Sequence, residues 1–304
     1  MSRLTKIILI NALIFGFSLA ILNQNSLSKP DSPGNEELFK IVVTSSVAEN
    51  LVKEIVDDRV EVNIILPSGV EPHDFEPTPQ DIITLNDADI VLAIGNGFEP
   101  WLSSYHDSNP STKIIYLAEE LKKNSKFSNV IKAHDPHIWL DPVMTIGMLD
   151  LIVNSINSIQ ADKYQNLRLN LIELNYRFSN TLSHCSLNEY ISLHGAFDYM
   201  LSKYDIEGFN LTGINAEEEI NIKNIKSIID VAKNNSIKVI FTESALPPKV
   251  FTNLTEEIDA NISQVDPLEI KKEAYNRDYY IETMSQNLIN IADALKCIPN
   301  YAIK

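Results

Sequence analysis

Residues 60–94 read VEVNIILPSGVEPHDFEPTPQDIITLNDADIVLAI, and this stretch decides the fold. Val60–Leu66 is a β-branched apolar run, the pattern of a buried strand. Pro67, Pro72, Pro77 and Pro79 follow in close succession. Proline fixes φ and lacks a backbone donor, so this segment is neither a helix interior nor a central strand. It is a stiff loop. Asp81–Leu85 then reads as a helix start, and Ala88–Ile94 as a further buried strand closed by Gly95-Asn96-Gly97. Strand, loop, helix and strand at this spacing imply a right-handed crossover between parallel neighbours, in a sheet covered on both faces. The loop carries His73. A rigid loop beyond the C-terminal end of a parallel strand is where open α/β sheets hold their ligands.

The same pattern extends outward. Phe39–Thr44 and Lys113–Leu117 read as strands, and Val47–Val56 has helical spacing. The second half repeats the scheme. Glu189–Leu193, Asn210–Ile214, Lys238–Thr242 and Asn261–Val265 read as strands, with helices at Asn221–Asn234, Val250–Ile258 and Ile281–Leu295. Between the halves, Tyr164, Leu167, Leu171, Leu174, Phe178 and Leu182 recur at intervals of three and four. They form one apolar stripe on a helix of about six turns, a poor crossover but a good strut. The class is α/β, with parallel sheets flanked by helices. The expected organisation is a signal peptide and the start of a polar linker at 1–28, an N-terminal α/β lobe at 38–160, a linking helix at 161–185 and a C-terminal α/β lobe at 186–304.

The leader is read from Arg3 and Lys6, followed by the apolar run Ile7–Leu22. That run has the length of a signal-peptide core and is short for a membrane span. Export to the periplasm is expected, with an uncleaved N-terminal anchor as the alternative. Acidic residues number 41 against 25 basic ones, for a formal charge of −16. This balance argues against nucleic acid, which is bound through basic patches. No G-x-G-x-x-G or Walker pattern is present. Cys185 and Cys297 permit one disulfide in an exported protein, or else two separate buried thiols.

Four side chains form a candidate constellation. His73, His194 and Asp266 each lie at or just past the C-terminal end of an expected strand. His137 lies in a proline-bounded loop and leads into Ile138-Trp139-Leu140. His134 is three residues earlier, but Pro136 forbids a shared helical face, which leaves His134 on the polar side. Three imidazoles and one carboxylate match a tetrahedral or slightly expanded site for a divalent first-row metal.

These residues sit in five segments: Pro72-His73-Asp74-Phe75-Glu76-Pro77-Thr78-Pro79, His137-Ile138-Trp139-Leu140-Asp141-Pro142, His194-Gly195-Ala196-Phe197-Asp198-Tyr199, Val239-Ile240-Phe241-Thr242-Glu243 and Val265-Asp266-Pro267-Leu268. In this order they resemble the metal-binding solute-binding proteins of ABC importers for zinc and manganese, over nearly the whole chain from Phe39. The resemblance implies two α/β lobes joined by one long helix, with the metal in the cleft between them. It carries the ligand roles to His73, His137, His194 and Asp266. It implies extracytoplasmic, high-affinity capture of the ion and delivery to a membrane permease by a monomeric, non-enzymatic protein. Two departures bear on the metal. Residues Glu119–Pro136 lack the His-rich accessory loop of many zinc-specific members, and His194 stands where manganese members often carry Glu. A third imidazole favours zinc, with manganese as the alternative. Asp141 and Glu243 are candidate partners for the imidazole N–H groups, Asp141 equally a helix cap. The rival functions are an exported zinc hydrolase, with Asp266 as base instead of ligand, and a metal-stabilised adhesin. No H-E-x-x-H is present.

Overall fold

The computed structural model describes residues 38–212, 222–243, 248–271 and 276–298. The expected leader at 1–28 lies outside the described residues, as does the far end of the strand expected at Asn210–Ile214.

The first lobe runs β1 (Phe39–Val43), α1 (Ser46–Ile55), β2 (Val60–Ile64), α2 (Pro79–Asn86), β3 (Ile90–Ala93), α3 (Pro100–Ser108), β4 (Ile114–Tyr116), α4 (Leu117–Lys122) and α5 (Pro142–Ser155). Its four strands are all parallel, in the order β2-β1-β3-β4. The long helix α6 (Ala161–Leu182) follows. The second lobe runs β5 (Glu189–Ser192), α7 (Asp198–Leu201), β6 (Glu207–Asn210), α8 (Ile222–Asn235), β7 (Val239–Thr242), α9 (Pro248–Ile258), β8 (Asn261–Gln264) and α10 (Tyr279–Ala294). Its parallel sheet has the order β6-β5-β7-β8. The strand order of the first lobe is therefore repeated in the second. In each sheet the chain leaves two adjacent strands, β1 and β3 or β5 and β7, in opposite directions. Such a switch point opens a crevice at the C-terminal strand ends.

Local chemistry sets the element ends. Ser45 caps α1 by accepting from the Ala48 N–H at 3.1 Å. Thr78 and Asp81 form a reciprocal capping box on α2. This helix starts at Pro79, two residues before the expected start at Asp81, because proline is well placed at a first helical position.

The stripe on α6 is buried as its spacing requires: Leu167, Leu171, Leu174, Phe178 and Leu182 are at most 5% exposed. They join one continuous core that includes Ile41 and Ile90 under the first sheet and Tyr280, Leu288 and Ile291 of α10. At roughly 1.5–3 kcal/mol for each such side chain, this helix fastens both lobes to each other.

One strand sits elsewhere than expected. β6 spans Glu207–Asn210 and shares only Asn210 with the stretch Asn210–Ile214. Glu207 and Gly208 are poor strand formers, so pattern alone passes over them. Gly208 is required by packing: a Cβ there would lie 2.2 Å from Asp198 Oδ1 and 2.6 Å from the Tyr190 hydroxyl. Helices α3 and α5 also fall outside the pattern read from the sequence.

Glu99 lies buried at the crevice end of the first sheet. It accepts hydrogen bonds from the Thr44 hydroxyl and the Ile94 N–H through Oε1, and from the Gly95 N–H through Oε2. Burial outweighs these donors and pushes its pKa up to about 7. Cys185 and Cys297 are joined in a disulfide. Backbone bonds from Leu187 N–H to Leu295 O and from Ile298 N–H to His184 O flank it, so the segment after α6 is stapled to the one after α10.

Two outcomes are expected. Replacing both cysteines with Ser should lower the unfolding free energy by up to about 5 kcal/mol in the chain-entropy treatment of so long a loop, and the denaturant midpoint with it. Equal midpoints would show that the bridge adds nothing. For Glu99, the folded state binds more protons than the unfolded one between about pH 4.5 and 7. Stability must then fall as pH rises through that window, by on the order of 3 kcal/mol from this group. Unfolding measured across the window should show a shallower fall in Glu99→Gln than in wild type.

Candidate metal centre

Four segments bring their side chains to one point. His73 lies in the 3-10 turn Pro72–Asp74 beyond β2, and His137 caps the 3-10 turn Ile138–Leu140. His194 lies two residues beyond the end of β5. Glu269 comes from the connection between β8 and α10. The centre is Glu269 Oε1, which lies 2.6 Å from His137 Nε2, 3.4 Å from His194 Nε2 and 3.9 Å from His73 Nε2. The rings of His137 and His194 are 5.2 Å apart, and those of His73 and His137 6.1 Å. His137, His194 and Glu269 are at most 2% exposed.

The Nε2 atoms of His73 and His194 are buried and have no hydrogen-bond partner among the described residues. Leaving such an atom unpaired costs about 1–3 kcal/mol. The opposite ring edges are occupied. His137 Nδ1 donates to Asp135 Oδ1 at 2.9 Å. His194 Nδ1 lies 2.9 Å from Glu243 Oε1, close enough for charge pairing though off the line of a hydrogen bond. A carboxylate only accepts, so these neighbours place a proton on Nδ1 and turn Nε2 inward. Phe98 packs edge-on against His73 and Trp139, and Trp139 lies against His137, giving the cluster an apolar wall.

Electrostatics follow from these contacts. Burial lowers the His194 pKa, but the carboxylates of Glu243 and Glu269 beside it overcome this and hold the imidazole well above its ordinary value. For His137, burial is likewise outweighed by Asp135 and Glu269, and its pKa is raised. Burial raises the Glu269 pKa, and the hydrogen bond from His137, together with the nearby imidazoles of His194 and His73, reverses that and holds it well below the carboxylate range. Glu71 stands beside the cluster and accepts weakly from the His73 N–H at 3.5 Å. Its own burial, with repulsion from Glu269, pushes it up to about 7. Without a metal ion, then, His137 and His194 hold their protons beside a buried anion. The donor set of three imidazole nitrogens and one carboxylate oxygen suits a divalent cation that would displace those protons.

The structure brings together three of the four residues expected from the sequence, His73, His137 and His194. It does not bring in Asp266. The Asp266 carboxylate accepts from the Leu268 N–H at 2.8 Å. Its backbone N–H and C=O bond to the Asn287 amide at 2.8 and 2.7 Å. Asp266 therefore builds a turn. Leu268 takes a left-handed φ of 63° within it, and the next residue, Glu269, enters the cluster. The first lobe grips this segment: Trp139 Nε1 donates to Pro267 O at 2.7 Å, Ser46 Oγ to Leu268 O at 2.8 Å, and Gly69 N–H to Lys271 O at 3.0 Å. The clue in the sequence is the Asp266-Pro267 pair, which marks a turn, so the carboxylate that joins the cluster comes from just beyond it.

The remaining candidates separate. Asp141 caps α5 through the Val143 N–H and pairs with Lys203 at 2.7 Å, so of its two expected roles it takes the cap. Glu243 faces His194, as an imidazole partner should. Asp135 holds His137 and was not foreseen. His134 is exposed.

A family model described as zinc-uptake complex component A, periplasmic, matches residues 41–294. The high-affinity zinc uptake system protein ZnuA of Bacillus subtilis (strain 168) is 27% identical over 301 residues, covering 92% of this chain and 94% of that protein. Zinc-binding protein AdcA of Streptococcus pyogenes (serotype M18, strain MGAS8232) is 26% identical over 284 residues. That match covers 83% of this chain, which spans only about half of AdcA, 55% of its length. Among solved structures, the periplasmic zinc-binding protein TroA of Treponema pallidum superposes with a TM-score of 0.73 at 19% identity, over 85% of this chain and 99% of that one. At that identity the likeness speaks for the fold.

Proposed function

The chain belongs to the family described as zinc-uptake complex component A, periplasmic, and on that premise we propose that it captures a divalent transition metal outside the cytoplasm and hands it to a membrane importer of the ABC type. Zinc is the favoured cargo and manganese the alternative. The protein binds a solute and is not an enzyme. The observation that carries this reading is the convergence of three inward Nε2 atoms on one buried carboxylate oxygen.

The ligands are His73, His137, His194 and Glu269. Imidazole-rich sites of this kind suit zinc better than manganese, which prefers oxygen. Asp135 and Glu243 orient two of the rings and raise their basicity. Capture is an exchange of protons for the ion, because imidazoles bind metal only when neutral. Glu269 supplies the negative charge that the imidazoles lack. With Glu269 in the fourth position, no place remains for the bound water of a hydrolytic zinc. Family membership likewise puts transport ahead of the hydrolase and the adhesin. Among the described residues no helix is long and apolar enough to cross a membrane.

Metal-stripped protein should bind one zinc per chain in a calorimetric titration. At a free concentration about 1,000 times Kd, the ion should add about 4 kcal/mol to stability. Glu269→Gln and His194→Ala should each weaken binding at least tenfold, while Asp266→Asn should remain close to wild type. Equal losses in the Glu269 and Asp266 variants would return the ligand role to Asp266. The pH dependence has a definite sign. The raised pKa values of His137 and His194 make protons stronger competitors, so affinity should fall as pH drops from about 8 to 6. Titrations in two buffers of different ionisation enthalpy should report protons released per ion bound. Affinity that does not change with pH would contradict displacement of imidazole protons.

A further inference from the structure

We propose that Asn96, in the turn after β3, is a positioning residue for the second imidazole, His137. The inference rests on the metal-binding reading above and goes beyond its four ligands.

Asn96 stands between Gly95 and Gly97, and all three have left-handed backbone, with φ of 80°, 53° and 99°. Asparagine tolerates this region better than most residues. A Cβ at Gly95 would lie 2.0 Å from Glu119 Oε2 and would push that carboxylate aside. Glu119 is there to accept the Asn96 N–H at 2.8 Å. The turn is thus built from residues suited to its left-handed backbone, and it fixes the direction of one side chain.

That side chain is fully employed. Its Nδ2 donates to Lys132 O at 2.8 Å and to Asp135 O at 2.5 Å. Its Oδ1 accepts from Lys122 Nζ at 2.8 Å and from the His134 N–H at 3.3 Å. Two donors and two acceptances use the whole capacity of a carboxamide. Three of the four bonds go to the backbone of residues 132–135, the last residues before the His137 loop closes. Asp135 then passes the restraint on, because its Oδ1 accepts both the His137 N–H at 3.2 Å and the His137 Nδ1–H at 2.9 Å. Between α4 and His137 lies an irregular stretch whose buried apolar anchors are Phe127 and Ile131. Asn96 is the polar tie that connects its end to the rigid edge of the first sheet. Removal of a group that bonds a ligating histidine directly, as Asp135 bonds His137, typically changes metal affinity by 10–100-fold, and Asn96 acts through that group.

Glycine keeps the left-handed turn without strain, so Asn96→Gly removes the carboxamide and leaves the backbone allowed. Asp135→Asn and the double variant complete a cycle. Zinc affinity is measured by competition with a chromophoric chelator, and cobalt(II) is bound as a spectroscopic probe of the ligand field. We expect Asn96→Gly to lose about tenfold in zinc affinity. The double variant should lose no more than the worse single one, because both act on the same ring. The visible cobalt bands should shift or broaden in Asn96→Gly. Wild-type affinity in Asn96→Gly, or additive losses with an unchanged cobalt spectrum, would overturn the proposal. If wild type itself takes up no zinc, the metal-binding reading fails instead, so the two failures are distinct.

Discussion

A carboxylate with no exposure to water must be compensated where it stands. Glu269 is 2% exposed and its charge is held by three imidazoles drawn from three separate segments. An unpaired buried charge costs several kcal/mol, so the removal of any one of these groups leaves the others poorly compensated. That mutual dependence explains much of the architecture. The loops beyond β2, β4 and β5 and the connection before α10 must all end at one place. Two sheets of identical strand order make this achievable, because each offers a crevice at its switch point.

The same constraint explains the placing of the polar bonds between halves. Segment 266–271 is anchored by Asn287 on its own side and by Ser46, Trp139 and Gly69 on the other. Tyr280 of α10 adds a bond to Trp139 O at 2.6 Å. The carboxylate at the centre of the cluster thus belongs to the second half of the chain but is held by both. Helix α6 gives both halves one apolar core, which suits small adjustments about the cluster better than wide opening.

Much of this is legible in the residues alone. β-branched runs such as IVLA in β3 and VIFT in β7 are buried on both faces and show as strands by composition. Proline around His73 and His137 marks stiff loops, and His194 follows directly on a strand. The fourth group is harder to read. A search at strand ends stops at Asp266, but the left-handed Leu268 carries the chain one turn further before a carboxylate faces inward. That turn is held by Ser46 and Trp139, more than a hundred residues away, and leaves no local periodicity. β6 is hidden for a related reason, since Gly208 is selected by contact with Tyr190 and Asp198 and not by strand propensity. Asn96 reads as one residue of a glycine-rich turn until its partners at 132–135 are seen.

The central claim is that one cation takes the place of the protons between three imidazoles and Glu269. X-ray absorption at the zinc edge of the loaded protein addresses it without any substitution. We expect four light-atom neighbours at about 2.0–2.2 Å, with the outer-shell scattering of three imidazole rings. A shell with one imidazole or none, or an all-oxygen shell, would contradict it.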